Sequence, residues 1–170
     1  MVYPIVKYGD PVLEAPAETI TEFNDELKKL AEDMFESMYA AHGVGLAATQ
    51  IGIGKRIAVI DVTFKEDPNA KLVLINPEII KTEGSQKGEE GCLSLPDFRE
   101  NVTRPNKVTV RAQDLEGNWF ETTGEELLAR ALVHETEHLQ GKLYISHISR
   151  LKRDLMIRKI KKLMRVGEWA

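Results

Sequence analysis

The segment His134-Glu135-Thr136-Glu137-His138 concentrates the groups of this chain best suited to chemistry. Two histidines four residues apart on a helix project from one face, so both imidazoles can reach a single metal ion. Glu135, beside the first of them, is placed to hydrogen-bond a water that such an ion acidifies to a pKa of about 7. The bland alternative is two ordinary histidines on a surface or core helix, and it leaves the adjoining acid unexplained. The spacing therefore predicts a hydrolase with one catalytic metal, in which Glu135 handles the protons and a third ligand is still to be found.

Two familiar solutions for that ligand fail here. Zinc proteases with this helix often take a Glu about 20 or more residues downstream, but the region around Arg158 offers only basic and apolar residues. In the longer HExxHxxGxxH pattern the chain matches through Gly141 and then has Tyr144 where the last His belongs. His42, His147 and Cys92 remain. Cys92 lies in Glu89-Glu90-Gly91-Cys92-Leu93-Ser94-Leu95-Pro96, where the flanking Gly and Pro suggest a fixed turn. A thiolate suits a softer divalent metal. Alone, however, Cys92 also reads as a small buried hydrophobe or as a nucleophile. His42 and His147 read as structural or exposed.

The elements that must position these groups emerge from periodicity. Apolar residues at Leu27, Leu30, Ala31, Met34, Phe35, Met38 and Ala41 mark a core-facing helix from Asn24 to His42. Gly43 to Gly54 carries four glycines and reads as an ordered loop or short extended segment. Strands are predicted over Arg56 to Val62, Lys71 to Ile80, Lys107 to Gln113 and Trp119 to Thr122. A second helix spans Glu125 to Gln140 and holds both histidines, with Gly141 ending it. A third spans Arg150 to Arg165, apolar on one side and basic on the other. Helices at the ends and strands in the middle predict one α+β domain over residues 1–170, with the basic helix 150–165 inside it.

Composition narrows the function classes. The chain has 170 residues, 42% hydrophobic and 29% charged, which argues for a folded core and against disorder. A net charge of -4 gives no global case for sequence-specific nucleic-acid binding or an anionic membrane. No apolar run approaches the roughly 20 residues of a spanning helix, and Met1 to Asp10 does not pair a basic stretch with an apolar one. We expect a cytoplasmic protein, where the single cysteine also fits a reducing compartment.

Three segments taken together are more specific: Gly43-Val44-Gly45-Leu46-Ala47-Ala48-Thr49-Gln50-Ile51-Gly52, Glu90-Gly91-Cys92-Leu93-Ser94, and His134-Glu135-Thr136-Glu137-His138-Leu139. In this order and spacing they resemble the peptide deformylase family. The resemblance covers nearly the whole chain, from Ile5-Val6-Lys7-Tyr8-Gly9-Asp10-Pro11 to the helix after Leu151-Lys152-Arg153. It implies removal of the formyl group from N-formyl-methionyl nascent peptides. It also implies an α+β fold of antiparallel or mixed sheets packed around a central HExxH helix, with an N-terminal and a C-terminal helix.

By the same resemblance, Cys92, His134 and His138 hold a ferrous ion, for which Zn, Ni or Co can substitute. Glu135 is the proton carrier, and the Gln50 side chain and Leu93 backbone N–H stabilise the oxyanion. Gly45 lets the peptide approach the backbone, and Val44, Leu127 and Ala131 line the methionine pocket. The basic run on the last helix, Lys152, Arg153, Arg158, Lys159, Lys161, Lys162 and Arg165, is usually only a solvated helix face; in some members of the family such a helix docks on the ribosome, which makes ribosome binding the alternative for this one. Two positions depart from the family: Thr49 stands for its usual Pro, and Glu137 for its usual Asp, with Arg104 as the candidate partner for the longer acid.

Two rivals are weaker. Gly43, Gly45 and Ala48 fit a GxGxxA dinucleotide pattern with Asp61 downstream. That motif needs a strand before its first Gly and a helix after it, whereas here a helix precedes and Gly52 and Gly54 break up the residues beyond. A zinc peptidase would share the helix but lacks its downstream ligand.

Overall fold

The structure is a computed structural model that describes residues 1–169. Ala170, the last residue of the domain expected over 1–170, lies outside the described residues. Three helices, α1 (Asp25–Ala40), α2 (Leu127–Leu139) and α3 (Arg150–Arg165), combine with seven strands. These are β1 (Gly45–Ala47), β2 (Ile57–Ile60), β3 (Leu72–Glu83), β4 (Gln86–Cys92), β5 (Leu95–Arg104), β6 (Lys107–Gln113) and β7 (Trp119–Glu125). β1, β2, β3, β6 and β7 form one sheet in that order, and β4 pairs with β5 in a separate hairpin. Every pairing between these strands is antiparallel, so the fold is α+β as expected, with antiparallel sheets.

α1 begins where the Asn24 side chain accepts the Leu27 N–H, filling one of the donors a helix start leaves open. Its stripe Leu27, Ala31, Met34, Phe35 and Met38 is buried against Leu46, Ile57, Val59 and Ile75 of the sheet. α2 lies against the same sheet further along, with Ala129, Ala131, Leu132 and Val133 packed on Ile60, Leu74, Val108 and Val110. Almost every residue of α2 is buried, including the polar Arg130, His134, Glu135, Thr136 and His138. Burying five polar side chains on one helix is costly unless each is matched, which marks α2 as the element that carries function. It ends at Gly141, whose φ of +81 suits glycine and whose place beside the Glu14 backbone leaves no room for a Cβ.

The β4–β5 hairpin is absent from the sequence-based reading, which left Gln86 to Arg104 without strands. Its inward positions on β4 are Gly88, Glu90 and Cys92 rather than apolar residues, so the alternation that betrays a strand is missing. Within 43–54, read as an ordered loop or short extended segment, Gly45–Ala47 is the extended part and pairs with β2, while Ala48–Ile51 forms a 3-10 turn.

Candidate active site

Cys92 closes β4 and pairs with Leu95 across a two-residue turn, Leu93-Ser94. The N-terminal segment stitches this turn to the Gln50 turn, because Val6 N–H donates to the Gln50 carbonyl (2.8 Å) and Tyr8 N–H to the Ser94 carbonyl (2.9 Å). Two loops far apart in sequence are thereby fixed over the middle of α2. There the Cys92 Sγ lies 3.3 Å from His138 Nε2, which lies 3.1 Å from His134 Nε2. The three donor atoms all fall within 4.8 Å of one another.

Local chemistry sets the state of these atoms. Glu90 Oε2 sits 2.6 Å from His134 Nδ1; a proton shared there leaves the lone pair of His134 on Nε2, toward His138. Where no proton bridges them, two ring nitrogens and a sulfur this close repel one another, and a cation among them removes that repulsion. Ligands of one tetrahedral ion with bonds of about 2.1 Å to nitrogen and 2.3 Å to sulfur stand roughly 3.4–3.6 Å apart, close to the 3.3 and 3.1 Å that separate His138 from Cys92 and from His134. The donor set therefore fits a divalent metal.

Burial opposes charge on His134, but Glu135, Cys92 and Glu90 outweigh it and push its pKa well above the usual histidine value. The same negative surroundings favour a cation in place of that proton. His138 is pushed the other way, toward neutrality, by burial and by the charge on His134. Glu135 is raised to about 7, mainly by burial, with His134 pulling it back. Its Oε1 meets no hydrogen-bond partner among the described residues, which leaves that oxygen free to accept one.

Behind the ligands lies a buried charge network. Glu90 accepts from Arg104 Nε and Nη2 (3.1 and 2.7 Å) and from Arg130 Nη1 (2.8 Å). Although burial opposes its charge, His134 and Arg104 hold its pKa far below the usual carboxylate range. Arg104 Nη1 also reaches Glu137 Oε1 at 2.6 Å, and Glu137 Oε2 meets the exposed His147 at 2.7 Å. The longer acid at position 137 thus spans from the network to the turn after α2. His147 and the exposed His42 lie outside the three-donor cluster.

An open cleft of about 620 Å³ lies over the cluster. Gln50, Leu93, Val44, Gly45, Leu127 and Ala131 all line it, together with Cys92, His134 and Glu135. Gln50 is oriented by the Ala47 N–H on its Oε1 (3.0 Å), and its Nε2 faces Cys92 Sγ and Ser94 Oγ at 3.6 and 3.4 Å. Leu127 is half exposed at the start of α2, and Ala131 lies one turn deeper. Gly45 is required from behind: a Cβ there would fall 2.6 Å from Glu135 Oε2.

Sequence reasoning gave no role to Glu90, Arg130 or Phe98, which also line the cleft. For Glu90 the signal was available, since it stands two residues before Cys92 and shares its face of a strand. Arg130 and Phe98 offered none.

The model of the family described as polypeptide deformylase matches residues 2–154. The peptide deformylase of Acidobacterium capsulatum is 66% identical, with 99% of each chain covered. That of Alkalilimnicola ehrlichii is 45% identical, over 98% of this chain and 93% of its own. Among solved structures, a peptide deformylase from Legionella pneumophila superposes with a TM-score of 0.90 at 42% identity, covering 98% of both chains. One from Thermus thermophilus gives 0.90 at 40% identity, covering 100% of both. Similarity this extensive, on a fold and a donor cluster of this kind, settles the family. The chain belongs to the peptide deformylases, metal-dependent hydrolases that remove the formyl group from the N-terminal formyl-methionine of nascent polypeptides and release formate.

Proposed function

We propose that Cys92, His134 and His138 are the metal ligands of this deformylase, that Glu135 carries the protons, and that the physiological ion is ferrous iron. The observation that supports this most is the convergence of one thiol and two ring nitrogens within 4.8 Å beneath an open cleft. A bound divalent ion supplies Lewis-acid activation of water at neutral pH. Glu135 takes the proton of the water that attacks the formyl carbon and returns it to the amine as the C–N bond breaks, giving formate and a free N-terminus. The Gln50 amide and the Leu93 N–H donate to the formyl oxygen as it gains charge; losing one such donor costs roughly 10²–10³ in kcat. Val44, Leu127 and Ala131 take the methionine side chain. β1 is an edge strand of its sheet, so an extended peptide can pair beside Gly43–Gly45.

Iron held by a thiolate is open to oxidation. Iron-loaded enzyme should therefore lose activity faster in air than without oxygen, while the zinc or nickel form should not. Equal half-lives for all forms would contradict the iron assignment. Metal analysis of Cys92→Ala should show loss of the ion, and full retention would remove Cys92 from the ligand set.

Arg158, Lys159, Lys161, Lys162 and Arg165 are exposed on α3, which supports ribosome docking by this helix. Lys159→Glu with Lys162→Glu should abolish cosedimentation with ribosomes, and unchanged cosedimentation would reject it. No helix among the described residues is long and apolar enough to cross a membrane, and a cytoplasmic location fits the substrate.

A further inference from the structure

The polar contacts behind the metal ligands do not stop at Arg104. They leave α2 and run into the 3-10 turn Tyr144–His147 that follows it. His147 Nε2 stands 2.7 Å from Glu137 Oε2, and facing a carboxylate it is the donor. Glu137 Oε1 accepts from Arg104 Nη1 at 2.6 Å, Arg104 Nη2 donates to Glu90 Oε2 at 2.7 Å, and that oxygen lies 2.6 Å from His134 Nδ1. Side-chain exposure falls along this line from 38% at His147 through 13% at Glu137 to 2% at Arg104 and 4% at Glu90. An unbroken series of four contacts thus joins a surface histidine to a ligand of the buried site.

The same turn reaches His134 by a second route. Tyr144, at its other end, is 1% exposed and stacks its ring on that of His134, with centroids 6.3 Å apart and planes 24° from parallel. One short turn therefore bears on the ring face of this ligand and, through Glu137, on the groups at its Nδ1.

A histidine holds a metal ion well only while its ring keeps one tautomer and one orientation, and the groups that fix these commonly change metal affinity about 10–100-fold. Glu90 fixes the tautomer of His134, and Arg104 holds Glu90. Arg104 is divided between two acids, so the position of Glu137 decides how it is shared. A carboxylate bonded through one oxygen still turns about its last bond; bonded through both, it is fixed. Glu137 is bonded through both because its side chain spans from Arg104 to His147. An aspartate there, shorter by one C–C bond of about 1.5 Å, would hold Arg104 and fall short of His147. We propose that His147 is a positioning residue for the metal ligand His134, acting through Glu137, Arg104 and Glu90, and that it slows release of the ion. This role rests on the reading of Cys92, His134 and His138 as the metal ligands.

The test follows the zinc-loaded chain as it gives up its ion to an excess of chelator. His147→Ala should release zinc about 3–10-fold faster than the parent, less than the 10–100-fold expected of a residue that touches the ligand itself. His147→Gln, which keeps a donor at a similar reach, should stay within twofold of the parent. Glu137→Asp should release zinc as fast as His147→Ala, and adding His147→Ala to it should change nothing further, because two residues acting through one contact do not add. Glu137→Asp also carries the test if His147→Ala does not fold. Release from His147→Ala or Glu137→Asp within twofold of the parent, His147→Gln as fast as His147→Ala, or additive effects in the double variant would overturn the positioning role alone. A parent chain that binds no zinc would overturn the ligand reading and this role with it.

Discussion

Glu90 touches Arg104, Arg130 and the ring of His134 at once, all of them buried. Breaking such a network by removing one partner is far more damaging than its net contribution, because the remaining charges stay buried without a counterion. Glu90→Gln keeps the shape and removes the charge, so it should destabilise the fold by about 3–5 kcal/mol and weaken metal affinity about 10–100-fold. Urea unfolding and metal titration would check the two effects separately. Gly45 is a second point of high leverage. Gly45→Ala places a methyl against the Glu135 carboxylate, which must move out of its position to admit it. A displacement of this size should cost roughly 10²-fold in kcat with metal content unchanged; a kcat within twofold would show that Glu135 is not held in place by this contact.

At the scale of elements, what the sequence disclosed depended on what each element buries. α1 and α2 were legible because one face meets an apolar sheet, and their ends were marked by Asn24 and Gly141. The β4–β5 hairpin was hidden because its inner face serves the site, putting Gly88, Glu90 and Cys92 where a strand usually shows Val or Ile. The HExxH pair was visible from helical spacing alone, whereas Cys92 as its neighbour depends on a hairpin stitched to the N-terminal segment by long-range bonds. The Gln50 turn raises a narrower question. Thr49 is buried, and its Oγ1 finds no partner among the described residues. Thr49→Val should therefore raise unfolding stability by about 1 kcal/mol, read by urea denaturation, and a loss of stability would show that the hydroxyl is satisfied after all.

Across the whole molecule, the two ends of the chain close on the site together. Met156 and Ile160 of α3 pack with Leu95, Val102 and Tyr144, and the partly buried Cys92 borders the same cluster. Trp169 caps it, its Nε1–H donating to the Tyr8 carbonyl at 2.8 Å and its ring meeting Phe98 edge-on. The basic helix is thus also part of the support for the hairpin, which is why charge reversal rather than deletion isolates ribosome docking. Trp169→Ala should cost about 1–2 kcal/mol from the lost apolar contact, seen as a lower Tm; an unchanged Tm would show that the C-terminal segment is merely laid on the surface.

The central claim is that this chain deformylates peptides with a metal at Cys92, His134 and His138 and a proton carrier at Glu135. The measurement that tests it most directly is formate release from a formyl-methionyl peptide by protein prepared without oxygen, beside Glu135→Ala, with the metal content of both determined. The parent chain should release formate only with metal bound, and the variant should show a fall of roughly 10²–10⁴ in kcat at equal metal content. Bound metal without formate, or a variant as active as the parent, would contradict it.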